Sequence, residues 1–241
     1  MEVQCIHFSS LDSTQRWTKE NAHSLRSNHM TCISAEVQTG GHGRQGTTWV
    51  SKKGNLHMSL FFTLPGYAPF IQNVAQILIY SCCRLLEEKN IHPQIKWPND
   101  LMIGEAKFSG ALAETIPLDS QLGVIIGLGM NVQSSVEIDQ KTTSLAEIAP
   151  GEWDLNLLKK EIISRFTADL SLLQREGFAP FRQEFEKRLL YKGEKISCKV
   201  GEETITGLFL GLTDTGELQI KKTDGTIRKL YSAEIFTLRP Q

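Results

Sequence analysis

Long apolar runs are missing from this chain: nowhere do its 241 residues string together the roughly 18 apolar positions that a membrane-spanning helix needs. Met1 to Gln4 carry neither the basic nor the apolar segment of a secretory leader, so the chain reads as soluble and unexported. An excess of one charge sign is missing too. With 26 Lys and Arg against 27 Asp and Glu the formal net charge is −1, which gives no support for a general nucleic-acid or acidic-membrane binder; any anion site must be local. Cysteine is scarce. Cys5, Cys32, Cys82, Cys83 and Cys198 make an odd count without a CxxC pair or a neighbouring histidine cluster, so neither a disulfide framework nor a structural zinc site is suggested, and a reducing cytoplasm fits. Low-complexity tracts and internal repeats are absent as well. What is there is 40% hydrophobic residues, enough to bury one large domain and one small one.

The hydrophobic pattern alternates between strand and helix periods. A helix is expected from Ser13 to Leu25, capped by Asp12 with Gln15 at the capping-box offset, followed by strands at Cys32 to Gln38 and Leu56 to Leu64. Phe70 to Lys89 is the clearest amphipathic helix, with Phe70, Val74, Ile77, Leu78, Cys82, Leu85 and Leu86 at helical spacing. Gln94 to Trp97, Leu101 to Ile103, Lys107 to Ile116 and Leu122 to Val132 read as strands of a meander-like sheet. Asp154 caps an expected helix from Leu155 to Arg175, and a second piece covers Phe181 to Leu190. After Tyr191 the texture changes to short β-rich runs, from Lys195 to Val200 through Ile235 to Leu238, broken by Gly and Asp turns. These predict a small antiparallel barrel.

Two segments carry chemistry. Lys96-Trp97-Pro98-Asn99-Asp100-Leu101 places charges around a Trp-Pro pair, and Pro98 stiffens the backbone that holds them. If Gly104 and Glu105 form the next turn, Met102 faces Lys107 and Lys107 lies diagonally near Asp100, so Lys107, Asp100 and Asn99 edge one pocket. Gly110 and Gly129, inside strands, imply a narrow slot beside the sheet. The second segment, Gly41-His42-Gly43-Arg44-Gln45-Gly46, matches GxGxxG, yet Thr47 to Ser51 continue it as extended chain rather than helix. A dinucleotide fingerprint needs that helix, so it is rejected. What remains is a glycine loop able to turn amides inward, with Arg44 as a planar cation for phosphate or carboxylate.

These residues, in this order, resemble the biotin protein ligases, which adenylate biotin and pass it to a lysine of a carrier domain. The likeness runs through Asp12 to Gln15, Glu36 to Trp49, Asn55 to Leu60, Lys96 to Leu101, Lys107 to Gly110 and Gly127 to Val132. It implies an α+β fold: a class II aminoacyl-tRNA-synthetase-like mixed sheet with helices over residues 1–190, plus a small SH3-like barrel over 191–241. It further implies an ATP-dependent ligase forming biotinyl-5'-AMP, with Mg²⁺ beside ATP. The partner implied is the biotin carboxyl carrier protein of acetyl-CoA carboxylase, with no nucleic acid and no membrane, and with homodimerisation left open. Few residues precede Ser13, so the expected form is the short one without a DNA-binding domain.

Residue by residue, the resemblance gives the biotin head group to Ser13, Thr14 and Gln38, with Gln15 and Trp49 around the ligand. Arg44 and Lys107 neutralise the biotin carboxylate and the α-phosphate, and Asp100, with Asn99, places Mg²⁺ or orients Lys107. Lys96, Gly41, His42, Gly43, Gly110, Gly129 and Asn131 complete the implied substrate-binding set. This chain departs from the family pattern at His42 and Thr47, where arginines are usual, and at Gln15 and His57, where Asn and Tyr are usual. Slower or looser retention of the adenylate is expected. A lipoate or octanoate ligase or transferase, and a catalytically weakened biotin-binding protein, are the alternatives.

Overall fold

The computed structural model describes residues 2–25 and 29–237. The chain runs β1 (Val3–Leu11), α1 (Thr14–Asn21), β2 (Met30–Gln38), β3 (Leu56–Pro65), α2 (Val74–Glu87), β4 (Gln94–Lys96), β5 (Asp100–Ile103), β6 (Ala106–Leu118) and β7 (Gln121–Met130). Three helices follow, α3 (Leu145–Ile148), α4 (Leu155–Glu176) and α5 (Ala179–Glu186). Five short strands end it: β8 (Lys195–Val200), β9 (Glu203–Leu212), β10 (Leu218–Lys221), β11 (Ile227–Leu230) and β12 (Glu234–Thr237). Among the described residues no helix is long and apolar enough to cross a membrane.

Seven strands form one mixed sheet in the order β1-β2-β3-β7-β6-β5-β4, with β1 parallel to β2 and every other pair antiparallel. The period-two alternation of β3 explains how the sheet is covered. Leu56, Met58, Leu60, Phe62 and Leu64 pack with Ile77, Leu78 and Cys82 of α2 and Ile162, Phe166 and Leu170 of α4. Phe61 points the other way into a smaller cluster with Ile33, Ile125 and Ala22, and the partly buried Trp17 of α1 joins it. One face is thus sealed by two helices. The other is covered only in part by α1, and this partial cover leaves room for a site.

Several local expectations change. Ser13, not Asp12, caps α1, its hydroxyl accepting from Arg16 N at 3.3 Å, and Gln15 turns its amide into the sheet instead of completing a capping box. The strand β1 was not expected from its sequence. Helix α5 begins at Ala179 and ends at Glu186, because Pro180 suits the first helical turn and the chain beyond it is drawn to β4 through an Ile95–Leu189 bridge. The hairpin register is as expected, Ile103 opposite Ala106 and Met102 opposite Lys107, but a bulge then sets Asp100 opposite Gly110.

The last five strands form a second, antiparallel sheet, in the order β11-β10-β9-β8-β12. Pairing among the described residues is this open order rather than a closed ring, and Leu238, the expected end of the last strand, lies outside them. The turn between β9 and β10 plugs into the large sheet's helical side: Gly216 O accepts from Trp97 Nε1 at 3.1 Å and Gln76 Nε2 at 2.9 Å, and Thr215 O from Asn73 Nδ2 at 3.0 Å. Trp97, 1% exposed, is therefore bolted from behind.

Candidate active site

A cavity of about 470 Å³ opens on the α1 side of the large sheet. Of the residues assigned from the sequence to substrate or catalysis, all line it except Gly41, which lies buried beneath the backbone of Trp49; His57, noted as a departure from the family pattern, does not line it either. Its floor is β3, β7 and β6. There three strand glycines act as seats for the protein's own side chains rather than as open floor. A Cβ on Gly129 would lie 2.2 Å from Trp49 Cε2, one on Gly127 2.8 Å from Gln15 Oε1, and one on Gly110 3.0 Å from Asp100 Oδ1 and 3.1 Å from Lys107 Nζ.

At one end stands an ion pair: Lys107 Nζ is 2.8 Å from Asp100 Oδ1, both side chains about one-fifth exposed (19% and 20%). The backbone of Lys107 is fixed by a neighbouring segment, its N–H donating to Lys141 O at 2.9 Å and its carbonyl accepting from Thr143 N at 3.1 Å. Above the ammonium lies the Trp49 ring, 5.6 Å from nitrogen to centroid. Lys96, on β4, also faces the cavity.

Across from this pair, Arg44 is held by its two ends. Nη1 donates to Asn99 Oδ1 at 3.0 Å and Nη2 to Ser232 Oγ, just before β12. Burial lowers the guanidinium's pKa from its ordinary value while Asp100 and Glu234 raise it; an arginine so placed keeps its charge at neutral pH. Asn99 is 6% exposed and its own amide donates to Ala111 O, so it mounts Arg44 rather than Lys107. The amides of the glycine loop are partly spent: Gly40 N–H donates to Asp12 O at 2.7 Å and Gly43 N–H to Thr47 O at 2.7 Å. His42 Nε2 lies 3.9 Å from a carboxylate oxygen of Glu114 on β6, and Thr47 Oγ1 donates to Arg44 O at 2.9 Å.

The other end is a chain of oxygens. Gln38 Oε1 accepts from Thr14 N at 2.8 Å and meets Thr14 Oγ1 at 3.0 Å; Thr14 Oγ1 meets Ser59 Oγ at 2.9 Å; Ser59 Oγ donates to Gln15 Oε1 at 3.0 Å. Gln15 Nε2 is committed to the carbonyls of Ile125 at 3.3 Å and Leu112 at 3.4 Å. Two hydroxyl protons must serve three oxygen–oxygen contacts. The chain is therefore short of donors and suits a guest that brings N–H groups. Asn131 is spent on scaffold, donating to Thr143 O at 3.1 Å and meeting Asn55 Nδ2 at 3.4 Å.

Sequence reasoning passed over Ser59, whose alternation with Leu60 places it on the cavity face, and over Ala233, Glu234 and Ile235, which come from the second sheet. The former had a signal in its strand period; the latter had none. Among the described residues no group of three or more His, Cys, Asp or Glu is placed to hold a metal ion.

A mixed sheet carrying an acceptor-rich pocket at one end and converging cations at the other defines a class of enzyme that activates a carboxylic acid against a phosphate. The chain belongs to the biotin/lipoate A/B protein ligase family, whose model matches residues 7–131, and a biotin protein ligase C-terminal domain matches residues 193–238. It is 32% identical over 235 residues to the bifunctional ligase/repressor BirA of Escherichia coli, covering 93% of this chain and 71% of that protein. It is 26% identical to a biotin–[acetyl-CoA-carboxylase] ligase of Paracoccus denitrificans, covering 85% and 89%. Among solved structures, the biotin protein ligase of Aquifex aeolicus in complex with biotin and ATP superposes with a TM-score of 0.82 at 31% identity, over 97% of both chains.

Proposed function

We propose that this protein is an ATP-dependent biotin protein ligase. A biotin carboxylate oxygen attacks the α-phosphorus of ATP and pyrophosphate leaves. The amine of a carrier lysine then attacks the acyl carbon of biotinyl-5'-AMP, forming the amide and releasing AMP. One observation carries the reading: Lys107 and Arg44 converge at one end of a cavity whose other end is an oxygen chain short of donors. The ureido ring of biotin brings two N–H groups to that chain, whereas a plain acyl chain brings none, and a buried polar pocket left unpaired rejects its guest strongly.

In this reading Thr14, Gln38 and Ser59 receive the head group, with Ser13 fixing the start of α1 beside them. The reaction brings an anionic carboxylate onto an anionic phosphate, so fixed cations at the reacting atoms are the main requirement. Lys107 and Arg44 supply them from opposite sides, and Lys96 adds a third beside the leaving phosphates. Magnesium, which accompanies ATP, is ordinarily held by one or two carboxylates and phosphate oxygens. Asp100, Asp139 and Glu234 are the carboxylates that line the cavity, and the pairing of Asp100 with Lys107 fits an orienting role better than a metal cage.

We also read the large sheet as the class II aminoacyl-tRNA-synthetase-like catalytic domain, residues 1–190, and the second sheet as an SH3-like domain, residues 191–241. The carrier of acetyl-CoA carboxylase is the proposed acceptor, as the Paracoccus relative's name suggests, with the reaction in the cytoplasm. The test is pyrophosphate exchange with ATP, run with biotin and with lipoate. Exchange dependent on biotin is expected, and exchange with lipoate alone overturns the reading.

A further inference from the structure

Trp49 is held in an unusual way for a pocket wall. Its backbone is sewn to the glycine loop, its N–H donating to Gly41 O at 3.0 Å, and a Cβ on Gly41 would lie 2.6 Å from Trp49 O. Its ring lies on Gly129, with Cε2, Cζ2 and Nε1 all 2.2–2.7 Å from where that residue's Cβ would be. Two positions without side chains thus fix one indole, at its root and at its plane. A residue needed only for apolar cover would not require both. Lys107 Nζ lies over the ring, 5.6 Å from its centroid.

We propose that Trp49 is a positioning residue for Lys107, holding the ammonium by its π-face and tying the place of that ammonium to the glycine loop. The inference rests on the ligase reading above. An ammonium has three donors and Asp100 takes one. A second carboxylate would hold it as firmly but would cancel the charge that the reacting oxygens need. The ring's quadrupole attracts the cation while leaving its charge and its remaining N–H groups for substrate, and tryptophan provides the strongest such face. Because Trp49 and Arg44 stand on the same loop, placing the loop sets both cations together.

The test compares Trp49→Leu with Trp49→Phe in the full-length protein by biotin-dependent pyrophosphate exchange. Loss of the π-face in W49L is expected to lower kcat by about 10-fold, with the biotin KM changed less than about 2-fold, while W49F stays within about 3-fold of wild type. A rise in biotin KM at constant kcat makes Trp49 a binding wall and overturns the proposal; so do equal losses in W49L and W49F. An arm independent of activity uses lysines methylated with ¹³C-formaldehyde, the Lys107 signal being assigned by its disappearance in Lys107→Arg. That signal is expected to be shifted by the indole ring current and to move in W49L. If wild type shows no biotin-dependent exchange, the ligase reading fails, and a Lys107 signal indifferent to W49L then removes the contact as well.

Discussion

The two walls of the cavity hold their cations by different means. On the sheet wall Lys107 sits in a strand paired along its length, with a carboxylate partner at 2.8 Å and a glycine beneath it. On the loop wall Arg44 sits in a single 3₁₀ turn, and its partners are Asn99 from the segment before β5 and Ser232 from the second sheet. One cation is placed by its own strand, the other by its neighbours. The strand-held cation is suited to the chemical step, where geometry must be fixed to fractions of an ångström. The loop-held one depends on partners from two other segments, so its place is set by how those segments pack.

The sharpest way to break this comparison is Lys107→Ala. Removing a preorganised charge from the reacting atoms is expected to lower kcat for adenylation by about 10²- to 10³-fold while biotin binding, read by calorimetry, is retained. Loss of biotin binding or of folding would make Lys107 part of the scaffold. A second test concerns a buried titratable group of the large sheet. His57 of β3 is 2% exposed, and burial pushes its imidazole from 6.5 down to about 4, with the backbone of Ala35 and Glu36 opposing that shift. As pH falls below 6.5 the unfolded chain takes up a proton that the folded chain refuses, so stability falls between 6.5 and about 4 and no further below. The loss at pH 4.5 relative to pH 7.5 is roughly 2 to 3 kcal/mol by linkage. Urea unfolding at both values should show that loss shrink in His57→Phe.

Arg44→Lys sharpens the loop side. Lysine keeps the charge but cannot fork to Asn99 and Ser232 at once, so kcat is expected to fall by about 10-fold rather than the larger factor for Lys107. Pyrophosphate exchange measures it. Equal losses in R44K and K107A would erase the distinction between the walls.

How much of this was legible follows the same division. The helices α2 and α4 and the strands β3, β6 and β7 show in the sequence because each buries one regular face against the core. The edge strand β1 does not: its exposed positions, among them Gln4, His7, Ser9 and Ser10, dilute the alternation. The glycines at 110 and 129 signalled close approach, but a glycine says only that something comes near, and here the approaching groups are Lys107 and Trp49; Gly127, which seats Gln15, was not singled out. Asn99 and Asn131 looked like ligand-facing polar residues, yet each amide ties a backbone carbonyl to another side chain, Ala111 O to Arg44 and Thr143 O to Asn55, which no spacing reveals. Ser232 and Glu234 reach the cavity from far along the chain, and only the packing of the two sheets brings them there.

The smallest expected effect falls on Gln15, a residue of α1 that reaches down to the sheet and has no part in the charge arrangement. Its amide reaches over Gly127 to two carbonyls at 3.3 and 3.4 Å and presents Oε1 to the Ser59 hydroxyl at 3.0 Å. Gln15→Asn shortens the side chain by one methylene, so the amide cannot meet both the carbonyls and Ser59. The hydroxyl then loses its acceptor and turns its proton toward Thr14 or the guest. Bonds this long contribute about 0.5–1.5 kcal/mol each, so a rise of about 2- to 10-fold in the biotin KM is expected, with kcat unchanged. Steady-state kinetics with varied biotin reads the split. A fall in kcat with constant KM would mean that Gln15, through the adjoining strand glycines, sets the place of Lys107, and that the head pocket and the cationic end are one mechanical unit rather than two.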